Sequence, residues 1–150
     1  MIKNCTLILL VILLSAGSCK HINSRQITDE TEKLTVAYTF LLNKLEQDNL
    51  SLIASENNEN LNLLKDIIKI NKLNFAVENY ANIARNENLC YYSKSTKQQV
   101  AVIGITKRNE NSYYVSYDIG PEGGASKEIQ IEKRNGRWTI INDDGFWNVK

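Results

Sequence analysis

The sequence predicts an α+β domain in which two or three N-terminal helices pack on a curved antiparallel sheet of four to five strands. Two observations lead to this prediction. Up to about residue 86, apolar residues recur every three or four positions, as they do along the buried face of a helix. Beyond residue 88 they alternate with polar residues, as in strands with one packed face. Helices followed by strands indicate an α+β arrangement.

The N-terminus has the composition of a secretory signal peptide. Lys3 precedes an apolar run, Thr6–Gly17, of about a dozen residues, whereas a membrane-spanning helix needs about 20. Small residues end the run, and the order positive, apolar, small is typical of a signal. Cys19 follows directly after Ala16-Gly17-Ser18. This arrangement resembles a bacterial lipoprotein signal, in which small residues precede a cysteine that becomes the lipidated first residue.

Ala16-Gly17-Ser18 also suits ordinary signal peptidase, and the product would then begin with the exposed, reactive thiol of Cys19. Acyl chains on the sulfur remove that liability and anchor the protein. We therefore expect a signal peptide at residues 1–18, a lipid that includes palmitate on Cys19, and a flexible tether at residues 19–27. Lys20-His21-Ile22 does not resemble the acidic export signal of surface lipoproteins. The expected location is the bacterial cell envelope, lipid-anchored and facing the periplasm.

Charge and size restrict the function of the remaining chain. The protein has 18 Lys and Arg and 17 Asp and Glu, of which only Lys3 lies in the signal. The mature chain is therefore balanced and lacks the basic excess that nucleic acid selects, so nucleic acid is excluded as the main partner. About 130 residues correspond to one ordinary domain, which we place at residues 28–150.

Cysteine and histidine are too few for familiar catalytic or metal sites. Cys90 is the only thiol left for the folded domain, and one cysteine makes no internal disulfide. The single histidine, His21, lies on the tether, so a Cys–His pair would need the tether to fold back. Asp143-Asp144-Gly145 lacks the further acids and the closing glutamate of a calcium loop. We expect no metal and no cofactor, and Cys90 as a small buried apolar residue.

Three helical segments are expected. The first begins at Thr28 and has an apolar stripe at Leu34, Tyr38, Leu41, Leu42 and Leu45. The second runs from Glu59 to about Lys69 and has its apolar side at Leu61, Leu64, Ile67 and Ile68. The third runs from Leu73 to Asn86 and aligns Val77, Tyr80 and Ala84. The break at Asn71-Lys72 is weak, so the second and third segments are alternatively one bent helix.

The second half of the chain predicts a meander of strands joined by hairpins. The candidate strands are Leu89–Tyr92, Gln98–Lys107, Ser112–Ile119, Lys127–Lys133 and Arg137–Asn142. Asn135-Gly136 is the signature of a type I′ hairpin turn, and Arg108–Asn111 forms another short turn. Gly120–Gly124 is interpreted as a longer loop, and the tips of such loops often carry binding residues.

The predicted order of elements is helices followed by a meander that ends in the segment KRNGRWTIIN. This order resembles the nuclear transport factor 2-like superfamily, over Thr28 to about Asn142. The resemblance implies a cone-shaped fold with a pocket where a long helix crosses the concave sheet. The family includes isomerases, dehydratases and non-catalytic binding modules. Its enzymes usually place an Asp–His pair, or acids with tyrosines, inside the cone. This domain contains no histidine, so no catalytic residue is carried over. A cystatin-like fold is the alternative.

Tyrosines and acids of the strands are the candidate binding residues. A tyrosine gives a site an apolar wall and a polar tip, and the residues selected are Tyr92, Tyr114, Tyr117, Asp118 and Glu122. Tyr113 and Tyr117 share a face with Val115, which predicts core packing, and Tyr114 faces the other way. Asp118 and Glu128 alternate with apolar neighbours and are expected on the solvated face.

The leading hypothesis is a non-catalytic envelope lipoprotein that binds a small apolar ligand or an envelope protein through the concave sheet and the Gly120–Gly124 loop. One alternative is an immunity or inhibitor lipoprotein that blocks a toxin or a wall hydrolase. Another is an isomerase- or hydrolase-like enzyme that uses tyrosine and carboxylate in the cone pocket, with an acid pointing inward. Phe146-Trp147, near the C-terminus, is expected to fold back on the core.

Overall fold

The computed structural model describes residues 28–55, 60–121, 123–142 and 147–149. The chain divides into two compact units, Met1–Leu34 and Thr35–Lys150. Of the first unit, residues 28–34 are described, and they are helical. The predicted signal peptide, Cys19 and the tether lie outside the described residues. Within the described ranges, no helix combines the length and the apolar character that crossing a bilayer requires.

The two helices with regular apolar stripes form as predicted. Helix α1 covers residues 28–47, and helix α2 covers Leu61–Ile70. The second unit contains the α1 residues Tyr38, Leu41, Leu42 and Leu45, which are buried together with Leu64, Ile67 and Ile68 of α2. Spacings of three and four residues place each set on one side of its helix, because 3.6 residues make one turn.

The predicted third helix, Leu73–Asn86, is wrong. This segment forms strand β2 (Ala76–Glu78), a 3-10 turn (Tyr80–Asn82) and strand β3 (Ile83–Arg85). The side chain of Asn79 accepts a hydrogen bond from the backbone N–H of Ala81 and caps the short turn. Such local side-chain bonds compete with a helix, and pairing of β2 with a neighbouring strand decides the outcome.

Strand β1, Leu52–Ser55, has no counterpart in the sequence prediction. All four of its residues are buried, so it lacks the polar–apolar alternation by which half-exposed strands are recognised. It lies between β2 and strand β5 (Ala101–Asn109) and is parallel to both. The expectation of a purely antiparallel sheet is therefore wrong, and the sheet is mixed.

The remaining strands are β4 (Tyr91–Ser93), β5 (Ala101–Asn109), β6 (Ser112–Gly120), β7 (Gly123–Arg134), β8 (Arg137–Ile140) and β9 (Asn148–Val149). The main sheet has the order β2-β1-β5-β6-β7-β8, and β9 pairs with another part of β7. The sheet is strongly curled. Strands β3 and β4 form a separate antiparallel pair, called the β3–β4 hairpin below. The meander from β5 to β8 is confirmed, whereas the count of four to five strands is too low for the described chain.

The two predicted glycine turns differ in outcome. Asn135 and Gly136 both have positive φ, 51° and 77°, as a type I′ turn requires. The Gly120–Gly124 segment is shorter than predicted, because β6 continues to Gly120 and β7 begins at Gly123. Gly120 has φ 141°, and a Cβ there would lie 2.9 Å from the Cα of Cys90. Glycine at this position therefore allows the segment before β4 to contact β6.

Buried clusters lie on both faces of the main sheet, but the cluster on the second face contains no residue of β6 or β7. The first face carries Ile53, Ile103, Tyr117 and Ala125, which share a buried cluster with α1 and α2. Tyr113, Val115 and Tyr117 are buried as predicted. The second face, turned away from the helices, carries Val100 and Val102 in a cluster with Tyr91 of the β3–β4 hairpin.

The described C-terminal segment also folds back. The ring of Trp147 stacks on that of Phe40 in α1, with 5.4 Å between the ring centres. The predicted return of this aromatic residue is therefore confirmed, whereas Phe146 and Asp143-Asp144-Gly145 lie outside the described residues.

Candidate functional site

A groove lies on the second face of the sheet, over strands β6, β7 and β9. Its volume is about 190 Å³, and it is lined by Tyr114, Ser116, Tyr117, Asp118, Ala125, Ser126 and Asn148. We call it the β6–β7 groove. Tyr114, Ser116 and Asp118 alternate along β6 with the buried Tyr113, Val115 and Tyr117, and side chains two residues apart in a strand share a face. The alternation that buries one set of β6 side chains therefore brings the other set into the groove.

Strand register explains the depth of the groove. Gly104 of β5 is opposite Ser116, Ser116 is opposite Ser126, and Ser126 is opposite Asn148 of β9. Of this row, Ser116, Ser126 and Asn148, on the adjacent strands β6, β7 and β9, form the floor. Gly104 leaves room for the side chain of Ser116, since a Cβ at position 104 would lie 3.1 Å from Ser116 Oγ. Tyr114 and Asp118 flank the row as the two walls, two residues to either side of Ser116.

Both walls of the groove are held by neighbouring groups. The guanidinium of Arg108 lies over the ring of Tyr114, 5.0 Å from its centre. The Asp118 carboxylate accepts a hydrogen bond of 2.9 Å from the backbone N–H of Gly120. Glu128 is exposed and accepts a 2.5 Å bond from the hydroxyl of Ser112. Asp118 and Glu128 therefore occupy the second face, as the alternation predicts.

A second cleft, of about 260 Å³, lies in the β3–β4 hairpin and is lined by Tyr80, Ile83, Ala84, Arg85 and Tyr91. The Arg85 guanidinium lies 4.6 Å from the centre of the Tyr91 ring and donates to the Tyr91 hydroxyl. That hydrogen bond, and then the nearby Asp118 carboxylate, raise the pKa of Arg85. The cationic group of the second cleft is therefore already engaged by Tyr91.

Glu78 at the end of β2 fixes the β3–β4 hairpin. Its carboxylate accepts hydrogen bonds from the hydroxyl of Ser93 at 2.7 Å, the amide of Asn82 at 3.1 Å, the N–H of Asn79 at 3.0 Å and the hydroxyl of Ser95 at 3.2 Å. These donors favour the ionised form, and together, with Ser93 foremost, they lower the pKa of Glu78 to about 2. One charged side chain therefore links the end of β2 to the 3-10 turn and to β4.

Tyr117 contributes to the lining of the groove, but its hydroxyl is used on the other side of the sheet. It donates to the carboxylate of Asp48, just after α1, and Asp48 pairs with Lys44 at 2.5 Å. Burial, followed by the Asp48 bond, raises the pKa of Tyr117. The phenol therefore stays protonated at neutral pH. A tyrosine and a carboxylate do meet, as the enzyme alternative requires, but in an arrangement that makes this tyrosine a poor base.

The structure brings together Tyr114, Tyr117 and Asp118 among the predicted binding residues. Tyr92 is not among the residues that line either cleft. Its ring lies under the ammonium group of Lys97, at 5.7 Å, and its neighbour Tyr91 faces the cleft instead. Glu122 lies outside the described residues.

The sequence does not predict Arg85 of the second cleft, nor the polar groove residues Ser116, Ser126 and Asn148. Arg85 falls in the segment predicted as a helix, and the other three are short polar residues whose meeting depends on strand register. The meeting of the two serines follows from the hairpin register, in which Gly120 is opposite Gly123 and Ser116 is opposite Ser126, and the longer Gly120–Gly124 loop of the sequence prediction does not define that register. In the described ranges, no three residues among His, Cys, Asp and Glu form a cluster that could hold a metal ion.

Comparison of the chain with protein-family models, curated proteins and solved structures finds no match.

Proposed function

We propose that this chain is a lipid-anchored cell-envelope protein whose folded domain is a non-catalytic binding module, with the β6–β7 groove as its binding site. The observation that supports a binding site there is the convergence of an aromatic wall, a carboxylate wall and a polar floor on one open face. Few precisely placed polar groups in a concave surface are typical of binding sites. Tyr114 and Asp118 supply the two walls.

The volume of the groove favours a small guest. Pockets that enclose a drug-sized molecule measure roughly 300–1,000 Å³, whereas the β6–β7 groove measures about 190 Å³. A groove of this size accommodates one ring or one side chain that projects from a larger partner. The partner therefore contacts more of the second face than the groove alone.

We also propose that the domain is related in architecture to the nuclear transport factor 2-like superfamily. Two helices, one before β1 and one between β1 and β2, together with a strongly curled sheet support this relationship. The parallel pairing of β1 with β2 and β5 departs from the expected meander. The face on which that family has its pocket carries the buried cluster with α1 and α2, which is why the proposed site lies on the second face.

Anchoring is tested by metabolic labelling with palmitate in a bacterial host. The chain is expected to incorporate the label, to remain in the membrane fraction and to face the periplasm. Cys19→Ala is expected to abolish labelling and to release the protein. An unlabelled wild-type chain would contradict the lipid anchor.

Binding is tested by photo-crosslinking of the full chain in cells. We expect Tyr114→p-benzoylphenylalanine to form a discrete adduct on irradiation, because position 114 forms a wall of the groove. Tyr92→p-benzoylphenylalanine is the matched control, since Tyr92 is also a half-buried strand tyrosine beneath a cation, yet it does not line the groove. Adducts at neither position, or equal adducts at both, would contradict the proposed site.

A further inference from the structure

We infer that the guest of the β6–β7 groove is a single neutral sugar ring, one unit of an envelope glycan. This inference rests on the proposed function, because it assumes that the groove is the binding site. It goes further by naming the chemistry of the ligand. Three properties of the groove support it: the kinds of polar group in its lining, the charges around it, and its size.

The polar lining matches a molecule with many hydroxyl groups. Tyr114, Ser116 and Ser126 each present a hydroxyl, Asn148 an amide and Asp118 a carboxylate. Hydroxyls and amides both donate and accept hydrogen bonds, and a carboxylate accepts several. A sugar ring likewise donates and accepts at each hydroxyl, and its C–H faces pack against aromatic rings. A purely apolar guest would displace water from these polar groups and offer no hydrogen bonds in return, which is unfavourable.

The charges around the groove favour a neutral guest. The Arg108 guanidinium lies 5.0 Å from the centre of the Tyr114 ring, on one wall. The Arg85 guanidinium lies 4.6 Å from the centre of the Tyr91 ring. Tyr91 packs in the cluster of Val102, which is opposite Asp118 in the sheet. A cationic guest at Asp118 would therefore meet two guanidinium groups nearby. An anionic guest would meet Asp118 itself, and like charges at short range repel.

The size of the groove suits one ring of an oligosaccharide. A volume of about 190 Å³ corresponds to roughly six water molecules, which the hydroxyl groups of one ring would replace. The open side of the groove lets the chain of a glycan continue in either direction. For roughly 15 non-hydrogen atoms, ordinary ligand efficiencies correspond to a Kd of about 1 mM.

The test is a titration of the isotope-labelled, detergent-solubilised full-length lipoprotein, followed by NMR. The probes are the tetramer of β-1,4-linked N-acetylglucosamine and its fully deacetylated, cationic form, which has the same backbone. We expect the neutral tetramer to shift the amide signals of Ser116 and Ser126 with a Kd of about 1 mM. The cationic tetramer is expected to bind at least about tenfold more weakly because of Arg85 and Arg108.

Two variants locate the binding. Ser126→Leu fills the floor of the groove and is expected to weaken binding of the neutral tetramer by at least about tenfold. Gln130→Leu makes a comparable change on the same face of β7, four residues away and outside the lining, and is expected to leave binding unchanged. Circular dichroism of both variants verifies that they are folded.

The outcomes separate this inference from the proposed function. The assignment of a neutral sugar would be overturned if the neutral tetramer, at a concentration 10 times the expected Kd, shifted neither Ser116 nor Ser126. Tighter binding of the cationic tetramer would also overturn it. So would equal effects of the two leucine variants. If Tyr114→p-benzoylphenylalanine still captured a protein in cells, the groove would remain the binding site and the sugar assignment alone would fall. If position 114 captured nothing, the proposed function would fall as well.

Discussion

The absence of a Cβ at Gly120 allows the end of β6 to approach the backbone of Cys90. We expect Gly120→Ala to lower the free energy of unfolding by about 2 kcal/mol or more, because φ 141° strains an alanine and its Cβ would lie 2.9 Å from the Cα of Cys90. Gly136→Ala is the control, since position 136 has positive φ and nothing within 4 Å. Urea denaturation measures both, and equal losses would show that the contact with Cys90 is unimportant.

The buried hydroxyl of Tyr117 provides a second residue-scale prediction. Tyr117→Phe removes the donor to Asp48, and hydrogen bonds to charged groups contribute about 1.5–3 kcal/mol, so we expect a loss in that range at pH 7. A double-mutant cycle with Asp48→Asn measures the coupling. Additive effects of the two substitutions would contradict a direct interaction.

The same tyrosine predicts a dependence on alkaline pH. Because the pKa of Tyr117 is raised in the folded protein, the folded state retains its proton above the unfolded pKa of about 10. Its stabilising contribution is therefore complete below pH 10 and is lost as the pH rises further. The wild-type protein should lose more stability than Tyr117→Phe between pH 9 and 11, as measured by urea midpoints. Parallel curves for the two proteins would contradict the raised pKa.

At the scale of elements, the sequence predicts those whose side chains have a regular period. Helix α2 was predicted nearly to its ends, since Leu64, Ile67 and Ile68 recur on one side. The alternation in β6 and the Asn135-Gly136 turn likewise predict the meander. By contrast, β1 is buried on both faces and β2 has three residues, so neither has a period to detect. Their assignment depends on the pairing of β1 with β5 and of β2 with β1, which are contacts between segments far apart in the chain.

Glu78 joins β2 to the β3–β4 hairpin, and its charge predicts a response to acid. Its pKa of about 2 is below the unfolded value of about 4.3, so the folded state favours the ionised form. The contribution is complete well above pH 4.3 and is lost as the pH falls towards 2. Glu78→Gln should therefore lower the urea midpoint at pH 7, and its difference from the wild type should shrink between pH 5 and 2.

Glu132→Gln is the control for this prediction. Glu132 pairs with Arg134 at 3.0 Å, but both side chains are more than half exposed, and such surface pairs contribute little. Its midpoint should follow that of the wild type at every pH. A difference between Glu78→Gln and the wild type that stays constant down to pH 2 would show that the charge of Glu78 is not what holds the hairpin.

At the scale of the whole second unit, the groove shows why a site is harder to predict than a fold. Tyr114 and Asp118 were selected from β6 alone, because their alternation with apolar residues is local. Ser126 and Asn148 reach the floor of the groove only through the register of β7 with β6 and with β9. A shift of one residue in either pairing would turn these side chains to the other face. The composition of the site is therefore a property of long-range pairing.

The C-terminal segment links the stability of this unit to its site. Trp147 stacks on Phe40, and the next residue, Asn148, lines the groove. An aromatic pair contributes about 0.5–1.5 kcal/mol beyond its buried area. We therefore expect Trp147→Ala to lower the free energy of unfolding by about 2 kcal/mol, and we expect coupling with Phe40→Ala of about 1 kcal/mol in a double-mutant cycle.

Loss of the stack should also affect the groove, because Trp147 positions the strand that carries Asn148. In the Trp147→Ala background, we expect crosslinking at Tyr114→p-benzoylphenylalanine to fall even under conditions where the protein remains folded. Trp147→Phe, which retains an aromatic ring against Phe40, should restore most of the crosslinking. Undiminished crosslinking in the Trp147→Ala background would mean that β9 and Asn148 are not needed for binding, and that the site consists of β6 and β7 alone.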